Sequence, residues 1–505
     1  MHKLFTFSIF LILGTELFSQ IKPYGFCGTS PEDQLIIRDR MFQNREKMDK
    51  LVQVRTGAIR YIPVNYHLAA NTDGTGRMRI VNVYTNLCAI NKLFEAHEIQ
   101  FYLRNINFIN NTALYDDPSS ALGSAWCNSL ANNNRNAVNI ICARVANKPE
   151  PGVLAFYNPG GDYIVSGIGS VNANGTTLAH EIGHFFSLAH TFYGWESTTY
   201  SCNTPTPLTV FIGGQSVQVE YVNRDKRING QLVCKIAADG FCDTPADYNL
   251  GFGWNGGCVY SGCAVDPDGD TLDPDERNMM SYFLSCLQTF TTEQVAAINR
   301  DYNGNHRNYL KAAFTPQNVV PSEINIISPI DQSVTEGFNI VKFQWEPVPN
   351  ATHYLVEYGE TSLTNKNVSF ITKRTDTTLT NLVSNKRYAY RVFAYNNTHF
   401  CHAIMNPISF VTGKFSVSTK DITTSIQSIN WYQVSELELE FNVNSINAVS
   451  SNIELFNMQG KKVFSQYLNL QTGANQISIN FPVKGTYLYR VSSTSGALSG
   501  KCLIL

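Results

Sequence analysis

The sequence has no excess of charge of either sign, because 38 lysines and arginines face 40 aspartates and glutamates, leaving a net charge of −2. A nucleic acid or an anionic membrane surface is therefore not indicated as a partner. No apolar run reaches the roughly 20 residues that span a bilayer, so no membrane span is predicted. The 12 cysteines include no CxxC pair, which disfavours a second, structural zinc site.

The N-terminus predicts a secretory signal peptide at residues 1–19. A basic start, Met1-His2-Lys3, precedes a short apolar run, and the small residue Ser19 stands at the predicted cleavage point. Cysteines in an exported chain favour disulfides. Six of them cluster in mid-chain and are expected to staple a loop-rich region: Cys202, Cys234, Cys242, Cys258, Cys263 and Cys286.

A chain of 505 residues suggests about three or four domains. Residues 20–57 are charged and helix-prone with little to build a core, which is typical of a pro-segment. Residues 58–316 are predicted to form an α/β (α+β) domain, with a strand at 58–67 and a helix at about 86–98. The stretch 152–169 (GVLAFYNPGGDYIVSGIG) predicts a strand pair or an edge strand that can bind a substrate as an added strand.

Two all-β domains are predicted after a linker at residues 315–323. Residues 322–413 alternate apolar and polar side chains and resemble a fibronectin type III module, with Trp345 in the core. We interpret its aromatic residues as core rather than as a sugar-binding platform. A second all-β sandwich is predicted at residues 428–505.

Residues 180–190 (HEIGHFFSLAH) carry the pattern of a metal site. His180 and His184 are four residues apart, so a helix places both imidazoles on one face, and Glu181 stands where it can take a proton from a metal-bound water. The preceding Gly-Thr-Thr favours Thr176 or Thr177 as N-cap. His190 completes a three-histidine set only if the chain breaks and turns back near Ser187. Three protein ligands with one open position are typical of catalytic zinc.

These histidines resemble the HExxHxxGxxH signature of the metzincin zinc peptidases. The nearer resemblance is to the pappalysin family, which includes the cytophagalysins, and it covers about residues 58–314. Further matching blocks, in the family's order, are residues 191–194 (TFYG), residues 239–247 (DGFCDTPAD), and the region from 278–282 (NMMSY) through Cys286 to 290–294 (FTTEQ).

The resemblance implies a role for each matching residue. His180, His184 and His190 would bind Zn²⁺, with Glu181 as general base and then general acid. Tyr282 would stabilise the oxyanion, and Met280 would be the Met-turn residue beneath the metal. Further implied features are a calcium-binding loop with Asp243 and Thr244, and disulfides Cys202–Cys258 and Cys242–Cys286, although Cys234 and Cys263 leave other pairings open.

The sequence departs from the family pattern at two positions. Ser187 stands where the turn glycine is expected, so it must adopt a left-handed or distorted conformation at a cost of ~1–2 kcal/mol. Leu284 stands where some relatives carry an acidic residue and cleave after basic residues. We therefore expect no basic preference at this pocket, and an apolar S1′ pocket instead.

Two terminal segments resemble known regulatory or targeting elements. Cys27, within residues 25–32 (GFCGTSPE), resembles a cysteine switch that fills the open zinc position until the pro-segment is removed, and a disulfide is the open alternative. Residues from about 452 to the final GKCLIL resemble the C-terminal sorting domain of the type IX secretion pathway of Bacteroidetes. A protein at the cell surface or secreted, handled by that machinery, is expected.

The sequence thus predicts a secreted zinc endopeptidase that acts on protein or peptide substrates, is made as a latent precursor and works as a monomer. The alternative is an adhesion or binding protein that works through the fibronectin-like module, with an inert metal domain. The intact ligand set and Glu181 favour the enzyme. The sequence does not distinguish a broad degrader from a narrow processing enzyme.

Overall fold

The computed structural model describes residues 26–48, 58–150, 152–361, 368–380, 382–402, 406–414, 425–481, 483–493 and 496–504. The predicted signal peptide lies outside the described residues, as do both ends of the predicted pro-segment. The fold is mixed α/β, with more strand than helix. Among the residues described, no helix is long and apolar enough to cross a membrane.

The N-terminal α/β domain, within residues 26–316, contains the α-helices and one five-stranded sheet. The helices are α1 (Pro31–Met48), α2 (Ile80–Phe94), α3 (Thr112–Asp116), α4 (Ala121–Asn133), α5 (Thr176–Phe185) and α6 (Thr292–Asn303). The strands are β1 (Arg60–Ala70), β2 (Ile99–Asn110), β3 (Val138–Ala143), β4 (Ala155–Asn158) and β5 (Tyr163–Gly167). The predicted strand at 58–67 is β1, whereas the helix expected at about 86–98 begins earlier, at Ile80.

The sheet has the order β2-β1-β3-β5-β4, and only β4 runs antiparallel to its neighbour. Nine of the eleven residues of β1 are buried, as expected for a strand covered on both faces. One face packs on α2 and α5, where Val64 and Leu87 belong to the same core as Ile182. The other face packs on α3 and α4. The helix that bears the metal motif therefore lies against the sheet, as predicted.

Two short hairpins interrupt the loop-rich region after α5. They are β6 (Thr209–Ile212) with β7 (Gln215–Gln218), and β8 (Arg227–Ile228) with β9 (Gln231–Leu232). The observed disulfides are Cys202–Cys263, Cys234–Cys242 and Cys258–Cys286, with Cα–Cα distances of 5.9, 4.9 and 5.6 Å.

The expected disulfides Cys202–Cys258 and Cys242–Cys286 are therefore wrong. A bridge forms only between Cα atoms within about 7 Å, and the turn at Val233–Lys235 brings Cys234 beside Cys242. With Cys242 taken, Cys286 pairs with Cys258 and Cys202 pairs with Cys263. The prediction that disulfides staple this region is confirmed, but the family pairing is not.

The first sandwich consists of β10 (Ile326–Ser328), β11 (Ser333–Val334), β12 (Ile340–Trp345), β13 (His353–Glu360), β14 (Val368–Thr372), β15 (Asp376–Thr380), β16 (Arg387–Tyr395) and β17 (Ile408–Val411). Its sheets have the orders β10-β12-β15 and β11-β17-β16-β13-β14. Trp345 is 1% exposed, which confirms its prediction as a core residue.

The second sandwich consists of β18 (Ile426–Ser435), β19 (Glu438–Ser445), β20 (Val449–Asn457), β21 (Lys462–Leu470), β22 (Gly473–Asn480), β23 (Gly485–Ser493) and β24 (Gly496–Ile504). Its sheets have the orders β18-β19-β22 and β21-β20-β23-β24. Alternating burial along β19 and β23 puts one face of each strand in the core.

The first sandwich packs directly on α2. Tyr84 stacks on Tyr395 with ring centroids 4.0 Å apart, and a disulfide joins Cys88 to Cys401. Because α2 in turn packs against α5, the sandwich lies behind the helix that carries the metal motif, with α2 between them.

Candidate metal centre

The start of α5 is set by a glycine. Gly175 has φ +74°, and a Cβ there would lie 2.8 Å from the Cβ of Ala89 in α2. Only glycine fits this close approach, and no side chain caps the helix. The expected N-cap at Thr176 or Thr177 is therefore wrong, because packing against α2 decides where the helix begins.

The chain leaves α5 at Ser187, which has φ +67°. The backbone N–H of Leu188 donates to the carbonyl of Gly183 at 2.9 Å, closing the helix end with a left-handed residue. The Ser187 hydroxyl donates to the buried carboxylate of Asp301 in α6. The break predicted near Ser187 is confirmed, and it turns the chain back so that His190 faces His184, with their Nε2 atoms 3.2 Å apart.

Four potential ligands converge at this turn. The sulfur of Cys27 and one ring nitrogen each of His180, His184 and His190 all lie within 4.8 Å of one another, and all four residues are buried. Three imidazoles and one thiol are a donor set typical of Zn²⁺. Among the described residues, the buried Nε2 of His180 has no hydrogen-bond partner, as expected for a nitrogen reserved for a cation.

The opposite nitrogen of each imidazole is fixed by an oxygen. The Nδ1 atoms of His180 and His184 lie 2.7 Å from the carbonyl oxygens of Met279 and Leu188. Such partners orient the ring so that Nε2 faces the metal position. Burial lowers the pKa of His180 and that of His190 to about 3, which keeps both rings in the neutral form that binds metals.

His190 is oriented by Glu196, a residue that the sequence reasoning missed. One oxygen of the Glu196 carboxylate, whose side chain is 10% exposed, lies 3.2 Å from the Nδ1 of His190, and the other accepts from the backbone N–H of Gly194 at 2.7 Å. The available signal was an acidic residue six positions after the third histidine. A separation of six residues does not by itself bring two side chains together. Here the tight turn at residues 191–195 does so.

Glu181 lies next to the convergence of ligands. Its carboxylate is buried, and the Cys27 thiol donates to it at 3.6 Å. Burial raises the pKa of Glu181 to about 8 and, with Glu181 itself, raises the pKa of the Cys27 thiol. A carboxylate with a raised pKa beside a metal position is suited to accept and return a proton.

Met280 and Tyr282 lie below and beside the histidines. Met280 is fully buried, and a Cβ at Gly183 would lie 2.4 Å from its sulfur, so the thioether packs directly on α5 between the two histidines. The ring of Tyr282 is centred 5.0 Å from that of His190, and its hydroxyl donates to the carbonyl of Cys27 at 3.2 Å.

The predicted pro-segment covers this centre. Residues 26–28 pair with the edge strand β4, since Leu154 N–H donates to the Phe26 carbonyl at 2.7 Å and Gly28 N–H donates to the Ala155 carbonyl at 2.8 Å. The strand pair or edge strand predicted at 152–169 is thus observed as the pair β4 and β5, with β4 at the edge of the sheet. The edge accepts an added strand, here from the chain's own N-terminal part.

Helix α1 continues the cover beyond Cys27. Its Gln34 amide lies 3.4 Å from the Nε2 of His184, and Ile37 and Met41 are buried in the main core. Residues 20–57 have few apolar residues to build a core, as predicted, yet α1 joins the main core of the domain. The buried residues of α1 form a stripe at positions 34, 37, 41 and 44 that faces the domain. A few apolar residues on this stripe are therefore enough to pack the helix against it.

Asp243 and Thr244, the predicted calcium ligands, bond to different protein groups. Both carboxylate oxygens of Asp243 are engaged at the start of α6, with the hydroxyl of Thr291 at 2.8 Å and the N–H of Glu293 at 2.7 Å. Thr244 instead donates to Asp239 at 3.0 Å. Within the described ranges, the Cys27–histidine cluster is the single place where three or more metal-binding side chains meet.

Comparison with known proteins identifies the C-terminal domain. Residues 434–505 match the family described as a secretion system C-terminal sorting domain. This match indicates secretion by the type IX pathway and attachment at the cell surface. No curated protein matches the chain.

Three solved structures are similar to this chain at 14–17% sequence identity. A mutant of promirolysin from Tannerella forsythia is 15% identical with a TM-score of 0.36, covering 56% of this chain and 96% of that one. A two-domain fibronectin type III segment of chicken tenascin is 14% identical with a TM-score of 0.14, covering 36% of this chain and 99% of that one. The fn3 domain of human contactin 1 is 17% identical with a TM-score of 0.17, covering 24% and 97%.

Proposed function

We propose that the protein is a secreted zinc-dependent endopeptidase of the metzincin type, nearest to the pappalysins and cytophagalysins. The observation that carries this proposal is the convergence of His180, His184 and His190 beside the buried carboxylate of Glu181. The Met280 thioether against α5 and the Tyr282 ring beside His190 agree with the roles that the resemblance implies for them.

The proposed reaction divides among three groups of residues. The three histidines would hold Zn²⁺, which when bound acidifies a water and polarises the scissile carbonyl. Glu181 accepts the proton of the attacking water and then delivers it to the nitrogen of the leaving amine. The Tyr282 hydroxyl, released from Cys27, donates to the carbonyl oxygen as negative charge develops. The edge of β4 holds the substrate backbone as an added strand.

We further propose that the full chain is latent. The Cys27 sulfur is the fourth member of the ligand cluster, so it would occupy the position that the attacking water needs. Thr29 fixes this arrangement, because its hydroxyl bonds to both the N–H and the carbonyl of Tyr157 in β4. A disulfide at Cys27 is not observed, and its thiol is free and buried.

A calcium site is a separate proposal that concerns two residues. We retain Asp243 and Thr244 as proposed Ca²⁺ ligands, supported by the buried Asp239 carboxylate beside Thr244. Calcium would have to replace the bonds that Asp243 now makes to α6. Calorimetric titration with CaCl₂ of the wild type and of Asp243→Asn tests this, and identical heats in both would remove Asp243 from the site.

The test of the enzyme is casein cleavage by the chain after limited proteolysis. Activity is expected to disappear with a zinc chelator, to return on adding Zn²⁺, and to be absent in Glu181→Ala. Zinc-loaded wild type that cleaves no casein, gelatin or library peptide would contradict the proposal and favour the adhesion alternative. For latency, Cys27→Ala is expected to give activity in the unprocessed chain, whereas Cys502→Ala in β24 serves as the matched control.

A further inference from the structure

An aromatic cluster lies beside the metal centre, and two of its three rings, those of Phe26 and Phe252, are not used by the proposed chemistry. The ring of Phe26 is centred 5.8 Å from that of Phe252 and 6.0 Å from that of Tyr282. The rings of Phe252 and Tyr282 are themselves 6.5 Å apart. Phe26 immediately precedes Cys27, so the residue next to the sulfur that fills the metal position lies in a cleft between two aromatic rings.

The loop that carries Phe252 is built to hold this position. A Cβ at Gly251 would lie 2.5 Å from the backbone of both Tyr282 and Phe283, so the loop approaches Tyr282 as closely as only glycine allows. The buried Asp247 carboxylate accepts from Thr191 at 2.7 Å and from the N–H of Leu250 at 3.1 Å. The loop is thereby tied to the residue that follows His190.

Phe252 remains 38% exposed even with Phe26 against it. Its ring lies against that of Phe26, at the end of the added strand on the β4 edge. The carbonyl of Phe26 accepts from the N–H of Leu154, which ties Phe26 to that edge. When residues 26–28 leave, the faces of Phe252 and Tyr282 are left without this apolar partner. A substrate backbone that replaces residues 26–28 on the same edge carries a side chain to the same cleft.

We propose that the cleft between Phe252 and Tyr282 is a substrate subsite that takes an aromatic side chain within two positions of the scissile bond. Phe26 is the occupant of this subsite in the latent chain. Aromatic rings pair favourably at the centroid distances seen here, beyond the gain from burying apolar surface. The inference rests on the proposed peptidase function, and it names the substrate class of that same site.

The first test measures selectivity in protein activated from the full chain by limited proteolysis. Quenched fluorescent peptides would differ only in carrying Phe or Ala at each of two positions on either side of the cleaved bond. We expect kcat/KM to favour Phe about tenfold at one position. Phe252→Ala should reduce this preference to about twofold or less, whereas Phe252→Tyr should restore it. Phe211→Ala, which removes an exposed ring on β6, is the matched control.

The second test needs no catalysis. In the full chain with a chelator present, the reaction of the Cys27 thiol with a disulfide reagent reports how firmly residues 26–28 are held, with Cys27→Ser as the blank. We expect Phe26→Ala and Phe252→Ala each to speed this reaction several-fold and Phe211→Ala to leave it unchanged.

The outcomes separate the two proposals. Activated wild type that cleaves no peptide overturns the peptidase and the subsite with it. Cleavage with no aromatic preference, or with a preference that survives in Phe252→Ala, overturns the subsite and leaves the peptidase standing. Equal thiol reactivity in Phe26→Ala and wild type also overturns the subsite, because Phe26 would then not be held by the cleft.

Discussion

The hydroxyl of Ser187 donates a hydrogen bond to the buried carboxylate of Asp301, at the residue where the chain turns out of α5. Asp301 also pairs with the guanidinium of Arg307 at 2.7 Å, and Arg307 donates to the carbonyl of Phe185 at the helix end. A charge-assisted hydrogen bond of this kind offsets the cost of a left-handed serine. The bond explains how this chain makes the turn without the glycine of the family pattern.

We predict that the two smallest substitutions of Ser187 differ in effect. Ser187→Ala keeps the left-handed strain and removes the donor to Asp301, so the free energy of unfolding should fall by about 1–3 kcal/mol. Ser187→Gly loses the same bond but relieves a strain of about 1–2 kcal/mol, so it should be less destabilised. Urea unfolding of the two variants measures the difference, and an alanine variant as stable as the glycine variant would contradict this account.

Glu181→Gln is predicted to separate catalysis from metal binding. The amide keeps the size of the side chain but cannot accept the proton of the attacking water, so kcat should fall by about 10²–10⁴-fold. Bound zinc, measured by atomic absorption after dialysis, should stay near the wild-type level because Glu181 is not among the converging ligands. Loss of zinc along with activity would instead make Glu181 a structural support of the centre.

Glu196→Gln is predicted to weaken zinc binding without removing a ligand. Because its carboxylate fixes the Nδ1 side of His190, its loss should lower the zinc affinity by about 10–100-fold. Competition with a fluorescent chelator measures this affinity. Glu323→Gln, an exposed residue in the linker, is the matched control. Equal affinities in the two variants would show that His190 needs no carboxylate partner.

The features predictable from the sequence are those that short spacings determine. The separation of His180 from His184 fixes their common face, and the separation of His190 requires the break that Ser187 makes. Alternating and continuous apolar runs likewise indicate β1 and the β4–β5 edge. Such signals depend on local backbone geometry, which a single sequence carries.

The features that could not be predicted depend on distant parts of the chain. The start of α5 depends on how closely Gly175 approaches Ala89, and Cys258 pairs with Cys286 because of where the intervening loop runs. Helix α1 has few apolar residues, yet it is buried along one stripe because the groove beside α6 receives it. No local pattern encodes these contacts.

Glu357→Ala is predicted to destabilise the whole N-terminal α/β domain. The buried Glu357 carboxylate in β13 forms ion pairs with Arg79 at the start of α2, at 2.7 Å, and with Arg391 in β16, at 2.9 Å. Removing one member of a buried ionic group leaves the others uncompensated, so we expect a loss of about 3–5 kcal/mol in the free energy of unfolding. Zinc binding should be lost in the same thermal transition, since α2 supports α5.

Glu360→Ala is the matched control for this interface. It removes a carboxylate from the same strand, and the ion pair of this carboxylate with Lys386 is largely exposed. The free energy of unfolding is therefore expected to fall by less than about 1 kcal/mol. Two separate transitions, with zinc binding unaffected by Glu357→Ala, would show that the sandwich is independent of the N-terminal α/β domain. That result would revive the adhesion alternative, in which the fibronectin-like module works alone.

Arg38→Ala is predicted to loosen the latent form. The Arg38 guanidinium donates to the carbonyls of Ile236 and Ala238, both at 2.6 Å, and lies 4.6 Å from the centre of the Tyr193 ring. Hydrogen bonds from a charged group are worth about 1.5–3 kcal/mol, so its loss should raise the open fraction of α1 by at least tenfold. Peptidase activity of the unprocessed chain should rise in proportion. Lys47→Ala removes an exposed charge from the same helix and should leave latency unchanged, so equal activities in the two variants would mean that Cys27 and its strand alone hold the pro-segment.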